Sequence, residues 1–323
     1  MVPKRERSLE VDRRNTVYAI EARGLAKAYG GRRVVNGFSM QVHKGDIYGF
    51  VGKNGAGKST VMKMVTCLVA PTEGEVLVFG QPAWQGAPGV AESRVGALIE
   101  SPGILGELSA YDNMMVKALA LGIPDAKERS QEILRWVGLS AAGKKRAKGF
   151  SQGMKQRLGI GLALLGSPDL LLLDEPFNGL DPEGTRDLRQ LIMRLNESFG
   201  VTVVVSSHVL EQLDRMVTRY GVIADGRMVR EMTAEEVRQA CGDSLAVRTT
   251  QPDVTLAQLE QRFPDCRFLM EPDGTIRISG PFEATAVAQA LRAMDATVLE
   301  LTETRRDIEE FFVELMEGGK RHV

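Results

Sequence analysis

The sequence predicts an α/β protein: a buried, largely parallel sheet with a helical insertion, followed by a small C-terminal α+β domain. Three observations carry that prediction. Short apolar runs at 47–51, 170–173, 201–205 and 220–224 alternate with helical stretches, as strands covered on both faces do. A glycine-rich segment, GKNGAGKST at 52–60, joins the first run to a helix start. From about residue 240 the texture changes to shorter strands and helices in a different order.

Taken in order, residues 17–45 read as β pieces with a turn at Gly30 and Gly31. The strand at 47–51, the glycine-rich loop and its helix follow, then strands at 74–79 and 95–99. Between about 105 and 165 the pattern is helical. Ile133, Leu134 and Val137 share a face there, and the stretch from Met154 to Leu165 is apolar on most sides. A strand at 170–173, a helix near 183–199, the run at 201–205, a helix from His208 and a strand at 220–224 complete this part. Beyond 240, strands at 245–249, 267–270, 275–279 and 297–301 alternate with helices in the order β-α-β-β-α-β-α, which suggests a ferredoxin-like domain with a terminal helix. Ile308, Phe311, Phe312 and Leu315 recur on that helix at core spacing. The expected boundaries are a charged tail at 1–15, a main domain at 16–239 and an accessory domain at 240–323.

Composition narrows the function. The 323 residues are 43% hydrophobic and 26% charged, with a formal net charge of −1. That balance lacks the basic excess of a nucleic-acid binder, so no nucleic-acid partner is expected. No run of apolar residues is long enough to span a bilayer, and the charged first 15 residues lack the apolar core of a signal peptide. Cys67, Cys241 and Cys266 are scattered and odd in number, which reads as free thiols in a reducing compartment.

The chemistry starts at the loop. Gly52, Gly55 and Gly57 let the backbone take conformations that a Cβ forbids, so successive N–H groups can surround an anion at a helix N-terminus. Asn54 lies within this cradle. Lys58 is placed to reach β- and γ-phosphates, and the hydroxyl of Ser59, followed by Thr60, to meet Mg²⁺. Four leucines then end in Asp174 and Glu175, the pair needed to hold a metal and to orient an attacking water. His208 follows a buried strand, at the edge where open α/β sheets bind ligands. Ser151 can cap a helix that begins Gln152-Gly153-Met154, and Gly153 permits a partner's close approach.

This ordered set resembles the nucleotide-binding subunit of ATP-binding-cassette transporters over roughly residues 17–235. The resemblance implies a P-loop nucleotide-binding domain with an inserted helical subdomain and an antiparallel β subdomain. It implies that Tyr29 stacks on adenine and that 52–60 is the Walker A loop. Asp174 and Glu175 match the Walker B pair, with Asp174 on Mg²⁺ and Glu175 on water. Ser151, Gln152 and Gly153 match a divergent signature motif that acts in trans, Asp181 the D-loop and His208 the switch histidine. ATP and Mg²⁺ are the implied ligands. The implied assembly is a homodimer docked on separate integral membrane permease subunits, cytoplasmic and peripheral on the inner face of the cell membrane.

One departure stands out. The family's usual Gln after the strand at 95–99 is Glu100 here, in ALIESPG. An anion there gains roughly 4 kcal/mol from a cation at about 4 Å in partly wet protein. The substitution therefore predicts closer contact with Mg²⁺, unless Glu100 turns to a basic partner. Together with Phe-Ser-x-Gly-Met-Lys-Gln-Arg at the signature, it is similar to the bacitracin-resistance and lantibiotic-immunity branch of drug exporters. An import ATPase is the alternative within the family. Soluble cassette proteins are another, but these usually carry two phosphate loops. Chromosome-maintenance ATPases put a long coiled coil between loop and signature, where this chain has only a short segment without heptads.

Overall fold

The computed structural model describes residues 17–84, 94–213, 216–241, 243–280, 282–294, 297–305 and 308–318. The expected charged tail at 1–15 lies outside them. The chain divides into two compact units, the first running to Glu231 and the second spanning Met232–Gly318.

In the first unit, β1 (Tyr18–Tyr29) and β2 (Arg32–His43) form a hairpin closed by Gly30 and Gly31, both at positive φ, as a two-residue turn demands. Adding β4 (Glu73–Val78) and β5 (Gln81–Pro82) gives an antiparallel sheet ordered β2-β1-β4-β5. A second sheet has six strands: β3 (Ile47–Val51), β6 (Val95–Leu98), β7 (Leu170–Leu173), β8 (Thr202–Ser207), β9 (Arg219–Ala224) and β10 (Arg227–Thr233). Its order is β10-β9-β3-β8-β7-β6, and the pairs from β9 to β6 are parallel. Every residue of β3, β7 and β8 is buried, which explains the leucine run of β7 and the valines of β8; the hydroxyl residues Thr202, Ser206 and Ser207 of β8 are buried with them. Leu25, Val35 and Phe38 of the hairpin share one core with Phe50 and with Val61 and Met62 of the helix α1 (Lys58–Val65).

Three helices follow β6 in sequence: α2 (Ala110–Ala120), α3 (Ala126–Trp136) and α4 (Gln152–Leu164). Ser109 and Asp112 close a capping box on α2, and Ser151 caps α4. A Cβ on Gly161 would lie 3.4 Å from Ile133 and 3.6 Å from Met114, so this glycine sits where the three helices meet. The long helix α5 (Pro182–Phe199) starts at Asp181 and stops at Gly200, which has φ 66.

The sequence reading differs from the structure in two places. The helix expected from His208 is only a 3₁₀ turn at Leu210–Gln212 among the described residues. Ser207 Oγ bonds both the N–H and the carbonyl of Val209, and such local side-chain bonds compete with helix formation. Strand β10 and helix α6 (Ala234–Ala240) were not expected; β10 is a charged edge strand, announced only by the turn pair Asp225-Gly226, both at positive φ. Helix α6 groups with the second unit, although the sequence boundary was drawn at 239 and 240.

The second unit continues with β11 (Asp243–Thr249), α7 (Pro252–Arg262), β12 (Arg267–Met270), β13 (Ile276–Ser279), α8 (Ala284–Ala293), β14 (Val298–Arg305) and α9 (Ile308–Gly318). Its strands are antiparallel in the order β12-β13-β11-β14, over a core of Leu245, Val247, Leu259, Ile276, Ile278, Val287 and Leu291. Cys67, Cys241 and Cys266 form no disulfide. Among the described residues, no helix is long and apolar enough to cross a membrane.

At the end of β3 remote from the glycine-rich loop, Tyr48 is fully buried and its hydroxyl donates to Glu231 Oε1 at 2.6 Å. Burial, reinforced by Glu231, holds the phenol well above its ordinary pKa, so it stays a neutral donor. A Cβ on Gly221 would lie 1.9 Å from that hydroxyl. Gly221→Ala is expected to lower stability by about 3 kcal/mol, an overpacking cost. Adding Tyr48→Phe recovers only part of it, because the ring carbon Cζ would still lie 2.6 Å from the new methyl. Urea unfolding of the two variants measures this, and an unchanged midpoint in Gly221→Ala contradicts the packing argument.

Candidate functional site

The glycine-rich loop leaves β3 at Gly52 and enters α1 at Lys58. Gly55 and Gly57 have φ of 80° and 110°, conformations that disfavour a side chain. Gly57 offers α1 no side-chain cap, so the first-turn N–H donors suit an anion. Lys58 is 5% exposed, and its ammonium donates to the carbonyls of Gly52 at 2.6 Å and Lys53 at 3.4 Å. Ser59 and Thr60 lie half-buried in the first turn, while Asn54 is exposed.

The strand order sets β8 between β3 and β7, so the carboxyl ends of all three meet at the loop, as in other open α/β sheets. Asp174 and Glu175 leave β7 there, and His208 leaves β8. Glu175 Oε2 lies 2.8 Å from His208 Nδ1, and Oε1 lies 3.2 Å from Lys58 Nζ. Oε1 is buried and has ion-pair distance to Lys58 without hydrogen-bond geometry. Glu175 also holds φ 48, a left-handed backbone that costs about 1–2 kcal/mol outside glycine.

Ser206 was missed in the sequence. It is fully buried; its hydroxyl donates to Asp174 Oδ1 at 2.6 Å and accepts the Glu175 N–H at 2.9 Å, so one side chain fixes both acids. The only signal was a small hydroxyl residue at the end of a valine run. Ser206→Ala leaves a nearly buried carboxylate oxygen and a backbone N–H without this partner. Its expected stability cost is about 1–3 kcal/mol, together with slower turnover of any ATP bound here. A wild-type rate in steady-state assays contradicts this.

The remaining predicted residues fall elsewhere. Tyr29 ends β1, 47% exposed, with Lys27 Nζ 5.1 Å from its ring centroid. Ser151, Gln152 and Gly153 open α4 beside the segment that precedes α5. A Cβ on Gly179 would lie 3.3 Å from Gln152 Cγ, and one on Gly153 3.5 Å from Leu180. Asp181 caps α5 by accepting the Gly184 N–H at 2.8 Å. Glu100, placed by sequence on Mg²⁺, instead meets the basic partner allowed as the alternative: its carboxylate lies 2.5 Å from Lys63 Nζ, on α1. Next to it, Leu68, Ile99, Pro102, Leu105, Val116 and Lys117 line a surface depression of about 290 Å³. Burial lowers the pKa of Lys117 there.

A metal finds hard oxygen donors at this site. Asp174 is 8% exposed, yet its carboxylate accepts from a neutral hydroxyl, that of Ser206, an arrangement that suits a nearby cation. Among the described residues, no group of three or more His, Cys, Asp or Glu could hold a metal alone. Mg²⁺ does not need one, since it is commonly bound by one or two protein oxygens plus substrate phosphates.

Residues 35–178 match the model of the ABC transporter family. The chain is 35% identical to the bacitracin transport ATP-binding protein BcrA of Bacillus licheniformis, over 93% of this chain and 98% of that one. It belongs to the ATP-binding proteins of ABC transporters. The cassette is also 41% identical to the lantibiotic transport ATP-binding protein SrtF of Streptococcus pyogenes, over 66% of this chain and 90% of that protein. A solved ATP-binding subunit of an ABC transporter superposes with a TM-score of 0.61 at 28% identity, covering 69% of this chain and 92% of that one. The ABC cassette therefore accounts for the parallel sheet, the glycine-rich loop and the acids at its edge.

Proposed function

We propose that this chain is the ATP-hydrolysing subunit of an ABC exporter for a drug or peptide antibiotic. It works as a homodimer docked on separate membrane subunits at the inner face of the membrane. The observation that carries the reading is the convergence of Lys58, Glu175 and His208 at adjoining strand ends, with Asp174 and Glu175 pinned by Ser206. The names of BcrA and SrtF, a bacitracin transport and a lantibiotic transport ATP-binding protein, support a peptide antibiotic as the transported compound.

In this reading Tyr29 stacks on adenine, and residues 52–60 hold the phosphates. Ser59 and Asp174 hold Mg²⁺, which when bound offsets charge on the transferring phosphoryl oxygens. Glu175 orients the attacking water, and His208 steadies both Glu175 and the γ-phosphate. Ser151, Gln152 and Gly153 of a second copy, with its Asp181, close the site. The apolar depression beside Glu100 is the seat of the membrane subunit; exposed Leu68, Leu105 and Val116 support that role. Glu100, held by Lys63, links that seat to the helix that starts at Lys58. We read the inserted helices as a helical subdomain and the segment after about 240 as a ferredoxin-like accessory domain. The strand order β12-β13-β11-β14 supports the latter.

The test is co-purification with the membrane subunit, followed by ATPase assays in lipid with peptide antibiotics. Antibiotic-stimulated hydrolysis that Val116→Asp abolishes is the expected result. Hydrolysis indifferent to every antibiotic, with Val116→Asp still bound to the membrane subunit, opposes the reading.

A further inference from the structure

Two helices of the cassette begin side by side. The caps of α4 and α5 are Ser151 and Asp181, and a Cβ on Gly179 would lie 3.3 Å from Gln152 and one on Gly153 3.5 Å from Leu180, so the segment leading into α5 packs against the first turn of α4. A second tie lies deeper. Arg157 Nη2 donates to Asp187 Oδ2 at 2.6 Å, and the two residues stand at the same distance from their caps. Gly138, at φ 69 just beyond α3, lies over the guanidinium, where a Cβ would approach Nη1 to 3.2 Å. The pair is partly exposed, at 26% for Arg157 and 46% for Asp187. Such ion pairs contribute little to stability. This one joins α4 to α5 beyond their first turns.

We infer that Arg157 and Asp187 are positioning residues, which lock the segment 151–153 and Asp181 into one rigid block facing the nucleotide of a second copy. The inference rests on the closed-dimer reading above. A block built from two helices presents its N–H donors in one geometry. If the helices slide against each other, each donor is displaced, and a displacement of about 1 Å at a reacting centre costs on the order of a hundredfold in rate. Nucleotide affinity of the isolated chain depends on Lys58 and the glycine loop, which neither residue touches.

Full-length Arg157→Gln and Asp187→Asn are compared with the charge swap Arg157→Asp with Asp187→Arg. Thermal unfolding, fluorescent-ATP binding and steady-state hydrolysis are measured on each. The expected result is a fall in kcat of about tenfold or more, with KM for ATP and the unfolding midpoint little changed, and recovery of most of the rate in the swap. Because Asp187 is the more exposed partner, Asp187→Asn keeps the test open if Arg157→Gln fails to fold. Wild-type kcat in Asp187→Asn, or a swap no faster than the single variants, overturns the inference. ATP-driven dimerisation of the Glu175→Gln chain separates the two readings. If that chain stays monomeric with ATP, the closed-dimer reading falls and the inference with it; if it dimerises while Asp187→Asn turns over normally, only the inference falls.

Discussion

Replacing Glu175 with glutamine is expected to cut ATP turnover by about two to three orders of magnitude, while ATP binding stays within a few-fold of wild type. The carboxylate lies between the Lys58 ammonium at 3.2 Å and the His208 ring at 2.8 Å, at the end of a fully buried strand. Glutamine keeps the shape and the backbone, so the Ser206 bond to the residue-175 N–H persists. What it loses is the negative charge that can take a proton from water. Binding rests on other groups, the Lys58 ammonium, which the Gly52 and Lys53 carbonyls position, and the N–H donors of the loop. The variant should therefore collect as an ATP-bound dimer. Single-turnover hydrolysis together with gel filtration in ATP checks both halves, and a variant that still hydrolyses ATP at the wild-type rate removes Glu175 from the role of orienting water.

Much of this site was legible in the sequence because it depends on short-range signals. The loop at 52–60 declares itself through glycine spacing, and the run Leu170–Leu173 declares a buried strand whose next two residues must emerge at its edge. What could not be read depends on contacts between distant segments. Ser206 joins Asp174 only because β8 pairs with β7, and nothing in its neighbours marks that. Lys63 reaches Glu100 because α1 and the end of β6 are neighbours in space, so the acid expected at the metal is engaged elsewhere. Gly221 looks like an ordinary strand glycine until Tyr48 is seen filling the place of its side chain. The 3₁₀ turn after His208 escaped for the opposite reason, as a single local hydroxyl outweighs helical periodicity.

Gly52→Ala is expected to weaken ATP binding by about a hundredfold and to lower stability by about 3 kcal/mol. A Cβ at this position would lie 2.5 Å from the Ile223 carbonyl oxygen and 2.7 Å from its Cγ2. Relief by retreat of β9 is closed off, because β3 and β9 are paired through Val51 and Val222 on the preceding rung. The loop itself must move. Its displacement carries away the Gly52 carbonyl, which holds the Lys58 ammonium at 2.6 Å, so the phosphate-binding charge shifts with it. Gly55→Ala separates packing from conformation. No atom lies within 4 Å of its would-be Cβ, but φ is 80°, so the expected cost is only the left-handed strain of about 1–2 kcal/mol. Calorimetric titration with Mg-ATP, paired with urea unfolding, should rank Gly52→Ala well below Gly55→Ala in both affinity and stability. Equal ATP affinity in wild type and Gly52→Ala means that the phosphates are held somewhere other than this loop.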